Sequence, residues 1–94
     1  MITSYSEAVK AARIGARADM AVAAARGLVV GDGFEDDTDY LIGFRETDRF
    51  DPSDIPCGGS EVFVRKADGM VWSVAPVYLL DKLDAMRPVT LDPD

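Results

Sequence analysis

Nine carboxylates fall between Asp32 and Asp54: Asp32, Glu35, Asp36, Asp37, Asp39, Glu46, Asp48, Asp51 and Asp54. Only Arg45 and Arg49 oppose them, so the segment carries −7, which is the formal charge of all 94 residues. The acidic and basic residues elsewhere cancel. Such a run has three chemical uses: binding a cation, moving protons, or attracting a basic surface. A fourth reading is a solvated loop with no partner.

Each use makes a demand that the spacing can meet or fail. An EF-hand loop begun at Asp32 puts Phe34 at the third ligand position, Asp37 where the bend needs glycine, and Gly43 where the closing glutamate belongs. The calcium motif therefore fails. Acid–base catalysis is poorly served too. The chain has no histidine, which removes Ser-His-Asp and Cys-His arrangements and nearly all zinc sites. Cys57-Gly58-Gly59 places a thiol beside flexible backbone, but it has no histidine base and a negative neighbourhood, which raises a thiol pKa. The single cysteine also excludes an internal disulfide and points to a reducing compartment. Gly31-x-Gly33 lacks the third glycine and the lysine of a phosphate loop. No catalytic residue, metal or cofactor is expected.

Attraction of a basic surface remains. Nucleic acid is repelled by this field. Asp36, Asp37, Asp39, Glu46, Asp48 and Asp51 form the expected charged rim of a partner-binding site. Phe34 and Phe50 are aromatics set inside these acidic loops. A large apolar ring surrounded by carboxylates resembles a protein-binding hot spot, so both are expected as anchors. Tyr40, Phe44, Phe63 and Trp72 are better read as core.

These residues need a scaffold. Ser4 to Glu7 reads as a capping box. A helix is expected from Ser6 to about Arg26, with Val9, Ala12, Ala16, Met20 and Ala23 on one face, Gly15 as its weak point and Gly27 as its stop. Leu28-Val29-Val30 is a short strand, Gly31-Asp32-Gly33 a turn, and Glu35 to Asp39 an acidic tip. Tyr40 to Phe44 is an inner strand. Glu46 to Gly59 is a long Pro/Gly loop. Ser60 to Lys66 and Met70 to Val74 form a hairpin. A three-residue loop with left-handed Gly69 pairs Lys66 with Met70, which puts Val62, Val64, Met70, Trp72 and Val74 on one face. A two-residue loop would instead place Phe63 and Arg65 with the tryptophan. Pro76 opens a second helix over 77–87, with Leu79, Leu80, Leu83 and Met86 as its stripe, Pro88 as its stop and a frayed tail from Thr90 to Asp94.

The expected fold is a single α+β domain over 1–94, ordered from about 4 to 88. It has a small antiparallel sheet of three to four strands, with an N-terminal and a C-terminal helix packed on one face. Residues 1–7 lack a basic region followed by an apolar run, and no membrane span is visible. A cytoplasmic protein is expected. Alanine richness and seven arginines to three lysines fit a GC-rich bacterial genome.

In this order the elements resemble the YrhB-like group of bacterial toxin-immunity domains (Immunity protein 35). The resemblance covers residues 6 to 87. It rests on the first helix, Leu28-Val29-Val30, the acidic turn, Tyr40-Leu41-Ile42-Gly43-Phe44, the loop Ile55-Pro56-Cys57-Gly58-Gly59, Glu61-Val62-Phe63-Val64, the Asp68-Gly69 hairpin before Val71-Trp72, and the closing helix. It implies a non-enzymatic antidote that binds and blocks a cognate toxin, and it transfers no catalytic residue. Two other expectations stand beside it. One is an adaptor or structural subunit of another bacterial or phage complex, with homodimerisation through an edge strand. The other is a carboxylate-dependent calcium-binding module.

Overall fold

The computed structural model describes residues 1–50, 61–74 and 80–91. Two helices open the chain, α1 (Tyr5–Gly15) and α2 (Arg17–Ala25). Strands β1 (Leu28–Glu35), β2 (Asp39–Glu46), β3 (Glu61–Arg65) and β4 (Val71–Val74) follow. A short helix, α3 (Leu80–Ala85), and a last strand, β5 (Arg87–Val89), close it. The five strands form one antiparallel sheet in the order β4-β3-β2-β1-β5.

Ser4 caps α1 through its hydroxyl, which accepts the Glu7 N–H at 3.2 Å. Glu7 returns its carboxylate one residue further back, to the hydroxyl and amide of Thr3. The long helix expected over 6–26 is broken at Ala16, next to the weak point at Gly15. Gly27 ends α2 in the left-handed region, at φ 82°. The alanines let α1 lie close to the sheet. Tyr5, Ala8, Val9, Ala12 and Ala16 bury against Tyr40, Ile42, Val62 and Val64. Full burial of a large apolar side chain such as Ile42 contributes about 1.5–3 kcal/mol.

Two corrections concern the sheet. It has five strands where three to four were expected, because Arg87–Val89 pairs with β1 (Gly33↔Val89, Phe34↔Pro88, Glu35↔Arg87). Proline is tolerated there because β5 is an edge strand and needs no N–H toward a further neighbour. The β3–β4 register also differs from the preferred one. Phe63 pairs with Trp72 and Val64 with Val71. Arg65 and Met70 close the hairpin around four residues, and Gly69 is left-handed at φ 74°. Asp68 fixes this loop by accepting the Met70 N–H and bonding Arg65.

Successive strand residues face opposite sides, so the registers sort the side chains onto two faces. One carries Tyr40, Ile42, Val62, Val64 and Glu35 beneath α1. The other carries a row that crosses all five strands: Trp72, Phe63, Leu41, Phe34 and Pro88. Phe63 and Trp72 stack in it with centroids 4.4 Å apart. Lys82 of α3 reaches this second face, with its ammonium 5.7 Å from the Phe63 ring centroid. The expected packing of both helices on one face is thereby corrected: α1 and the α3 lysine approach the sheet from opposite sides.

Gly31-Asp32-Gly33, expected as a turn, lies inside β1 as a bulge. Between Gly31↔Gly43 and Phe34↔Leu41 the register shifts by one, so Asp32 and Gly33 oppose Ile42 alone. The Tyr5 hydroxyl plugs this irregularity. It donates to the Gly31 carbonyl (2.8 Å) and accepts the Gly43 N–H (2.9 Å). Glycine is required opposite the bulge, since a Cβ on Gly43 would overlap the Asp32 carbonyl oxygen.

Candidate functional site

The acidic segment does not present one rim. Asp36 and Asp39, both expected on it, are turned into the protein at the β1–β2 connection. Asp36 Oδ1 accepts the amides of Thr38 (3.0 Å) and Asp39 (2.8 Å), and its Oδ2 meets the Lys82 ammonium at 2.6 Å. This is an aspartate building its own turn. Asp39 is 4% exposed. Its Oδ1 accepts the Trp72 indole N–H at 3.0 Å, and its Oδ2 accepts the Thr38 hydroxyl (2.6 Å) and Lys82 (2.8 Å). A carboxylate beside Phe63 and Trp72 is stable only if fully paired, and every partner here is a donor.

The protonation equilibria follow from this geometry. Burial alone would raise both carboxyls. For Asp36 the Lys82 hydrogen bond and the Asp39 and Thr38 amides outweigh it and hold the group at about 2. For Asp39 burial is outweighed by Lys82, Thr38 and Trp72, and its pKa is lowered. Burial would lower Lys82, but the two carboxylates raise it. The cluster is therefore a fixed ion pair near neutrality, with no group set to exchange protons.

The remaining rim residues lie at opposite ends of β2. Asp37 sits at its start with a side chain 95% exposed, 3.7 Å from Arg87. Glu46 ends the strand and Asp48 follows it, both exposed. Seven strand steps separate Asp39 from Glu46, a run of about 23 Å. Asp51 lies outside the described residues, as do Asp54, Cys57 and Tyr78. Of the two expected anchors, Phe34 is 44% exposed and Phe50 is half-buried. Phe34 belongs to the apolar row of the second face rather than to a loop.

Sequence spacing also missed the compensation. Lys82, Lys66 and Arg87 come from outside the acidic segment and neutralise part of it. Lys66 and Arg87 converge on Glu35 Oε1, at 3.6 and 3.1 Å. Strand pairing accounts for this: Glu35 pairs with both Arg87 and Tyr40, and Tyr40 with Val64, two residues before Lys66.

Beside these ion pairs the α1 face opens into a cleft of about 440 Å³ lined by Tyr5, Asp32, Glu35, Tyr40, Pro88, Val89 and Thr90. The bulge turns Asp32 to the surface, where its Oδ1 accepts the Leu91 N–H at 2.8 Å. Burial raises the Tyr5 hydroxyl pKa, opposed by the Gly43 amide and reinforced by Asp32. Burial also raises Tyr40, with Glu35 and Glu7 adding to it. Both phenols thus stay protonated. Lys66 lies over the Tyr40 ring with its ammonium 4.7 Å from the centroid. The sequence reading passed over Tyr5; Tyr40, expected in the core, lies there and also lines this cleft. Neither carries a local signal, because the cleft is assembled by the β1–β5 pairing.

Among the described residues, no group of three or more His, Cys, Asp or Glu side chains is placed to hold a metal ion, and no helix is long and apolar enough to cross a membrane. Comparison with family models, with curated proteins and with solved structures returned no match. What these sites can do chemically is attract and hold cationic groups.

Proposed function

We propose that this chain is a non-enzymatic binding protein that docks a basic protein, in the manner of a bacterial immunity protein neutralising its cognate toxin. The observation that carries the reading is the exposure of Asp32, Asp37, Glu46 and Asp48 on a chain whose whole net charge of −7 arises in this one segment. Lys82 neutralises Asp36 and Asp39, Lys66 and Arg87 share one oxygen of Glu35, and the exposed carboxylates are left to act on solvent and partners. Complementary charge raises association rates by orders of magnitude at low salt, and speed is what an antidote requires. The resemblance to toxin-immunity domains agrees with this reading, as does a histidine-free composition poor in acid–base chemistry. A cytoplasmic site of action fits the single cysteine.

The test is capture from the native host's lysate with the tagged protein, washed at low and then high salt, followed by an activity assay of what is captured. The reading expects a basic protein, released by salt, whose toxicity or enzymatic activity is abolished at one-to-one stoichiometry. Capture of an acidic or neutral subunit, retained at high salt, would instead identify an adaptor.

A further inference from the structure

We infer that the cleft between α1, β1 and β5 is a receptor for a guanidinium group, and that the basic partner inserts an arginine side chain there. This rests on the reading of the protein as a binder of a basic surface and names the pocket within it.

The argument begins with unused acceptors. Asp32 gives Oδ1 to the Leu91 amide, and its Oδ2 has no hydrogen-bond partner among the described residues. Glu35 gives Oε1 to Lys66 and Arg87, and its Oε2 is likewise unpartnered among them. Tyr40 is 6% exposed, yet its hydroxyl makes no hydrogen bond to any described residue, and it lines the same cleft. Among the described residues the side-chain atom sealed from solvent without a partner is Ser6 Oγ, not the Tyr40 hydroxyl, which opens on the cleft where a ligand can reach it.

Next comes the kind of cation. Tyr5 and Tyr40 line the cleft, and Lys66 lies over the Tyr40 ring at 4.7 Å from its centroid, the arrangement that the attraction of an aromatic face for positive charge favours. Acceptors on three separate side chains suit a planar group with five N–H donors better than a compact ammonium. The volume of about 440 Å³ accommodates an arginine side chain and its hydration. Arg87, 56% exposed at its side chain, competes from the rim for Glu35. It is the internal stand-in that a stronger ligand would displace.

The experiment is a two-dimensional amide NMR titration of the whole protein at low salt with N-acetyl-L-arginine amide. Saturable shifts are expected at Gly31–Glu35 and at Val89–Leu91. The isosteric neutral probe N-acetyl-L-citrulline amide should fail to produce them, and N-acetyl-L-lysine amide should bind more weakly. Asp32→Asn keeps the Leu91 acceptor and should weaken binding about three- to fivefold, as one lost surface charge contact does. Tyr40→Phe should weaken it as well. Arg87→Gln should strengthen it, which a merely structural role for these residues would not produce. Asp84→Asn on α3 is the charge-matched control and should leave it unchanged.

Equal binding of citrulline or lysine, shifts spread over all acidic positions, or indifference to Asp32→Asn would overturn the assignment. The two claims fail separately. A captured basic partner with no probe binding refutes the cleft alone. Probe binding with an acidic or neutral partner in the lysate refutes the docking reading alone.

Discussion

Lys82 and Asp39 are 43 residues apart in sequence, and their ammonium and carboxylate lie 2.8 Å apart on the sheet face opposite α1. α3, with no buried residue of its own, reaches the sheet through this contact. Asp39 in turn holds the Trp72 indole, and Trp72 stacks on Phe63. One ion pair thus links a short helix, the β1–β2 connection and the far edge strand.

Removing the cation while keeping the length should expose how much this linkage contributes. Lys82→Met leaves Asp39 buried and without its charge partner, which costs about 2–4 kcal/mol. For a domain of this size each kcal/mol lowers the melting temperature by about 4–8 °C. Urea and thermal denaturation measure it. A melting temperature within a degree or two of wild type would show that the pair is only a surface contact.

The same cluster sets a pH window. The Asp36 carboxyl is held at about 2, below its ordinary 3.8. A folded-state pKa below the unfolded value means the contribution is complete above about pH 4 and disappears as pH falls through about 2. The stability gap between wild type and Lys82→Met should therefore be constant from pH 7 to about 5 and close between about 4 and 2. A gap unchanged at pH 2 would contradict the assignment. At the alkaline end the raised Lys82 pKa keeps the pair intact until pH rises above the usual lysine value.

The bulge supplies a third prediction. Tyr5→Phe removes the donor to the Gly31 carbonyl and the acceptor of the Gly43 N–H. Leaving these buried groups unsatisfied costs about 1–3 kcal/mol. Hydrogen exchange at the Gly43 amide should accelerate by more than at the β3 amides. Uniform acceleration would place the hydroxyl outside the bulge.

Two glycine substitutions separate close approach from open space. A Cβ at Gly43 meets backbone, the Asp32 carbonyl, whereas a Cβ at Gly31 meets only the flexible Arg45 side chain at 3.4 Å. Gly43→Ala should cost more than about 3 kcal/mol or prevent folding, and Gly31→Ala less than about 1. Soluble expression and urea midpoints read the contrast. Equal effects would overturn the observed register of β1 on β2.

Much of this architecture was legible locally. The three- and four-residue spacing of Val9, Ala12 and Ala16 marks the buried face of the first helix, and the alternation in Tyr40–Phe44 marks an inner strand. Gly27 and Gly69 announced their left-handed turns. The β3–β4 register was not legible, because Val62, Phe63 and Val64 are all fully buried and alternation cannot choose between faces. In the structure Asp68 bonds both Arg65 and the Met70 N–H across the four-residue loop. Pro88 read as a helix stop because an edge strand tolerates proline as well as a chain end does. The candidate site was least visible. Nine carboxylates in sequence say nothing of which ones a distant Lys66, Lys82 or Arg87 will neutralise. The cleft exists only after β5 closes beside β1.

The most direct test of the docking account is the association rate of the captured partner, followed by stopped-flow fluorescence as salt is varied. Substituting Asp37→Asn, Glu46→Gln and Asp48→Asn together should slow association at low salt by at least about tenfold and flatten its dependence on ionic strength. It should leave the melting temperature near that of wild type, since all three are exposed. An unchanged rate and an unchanged salt slope in the triple variant would contradict the claim that these carboxylates steer a basic protein onto this surface.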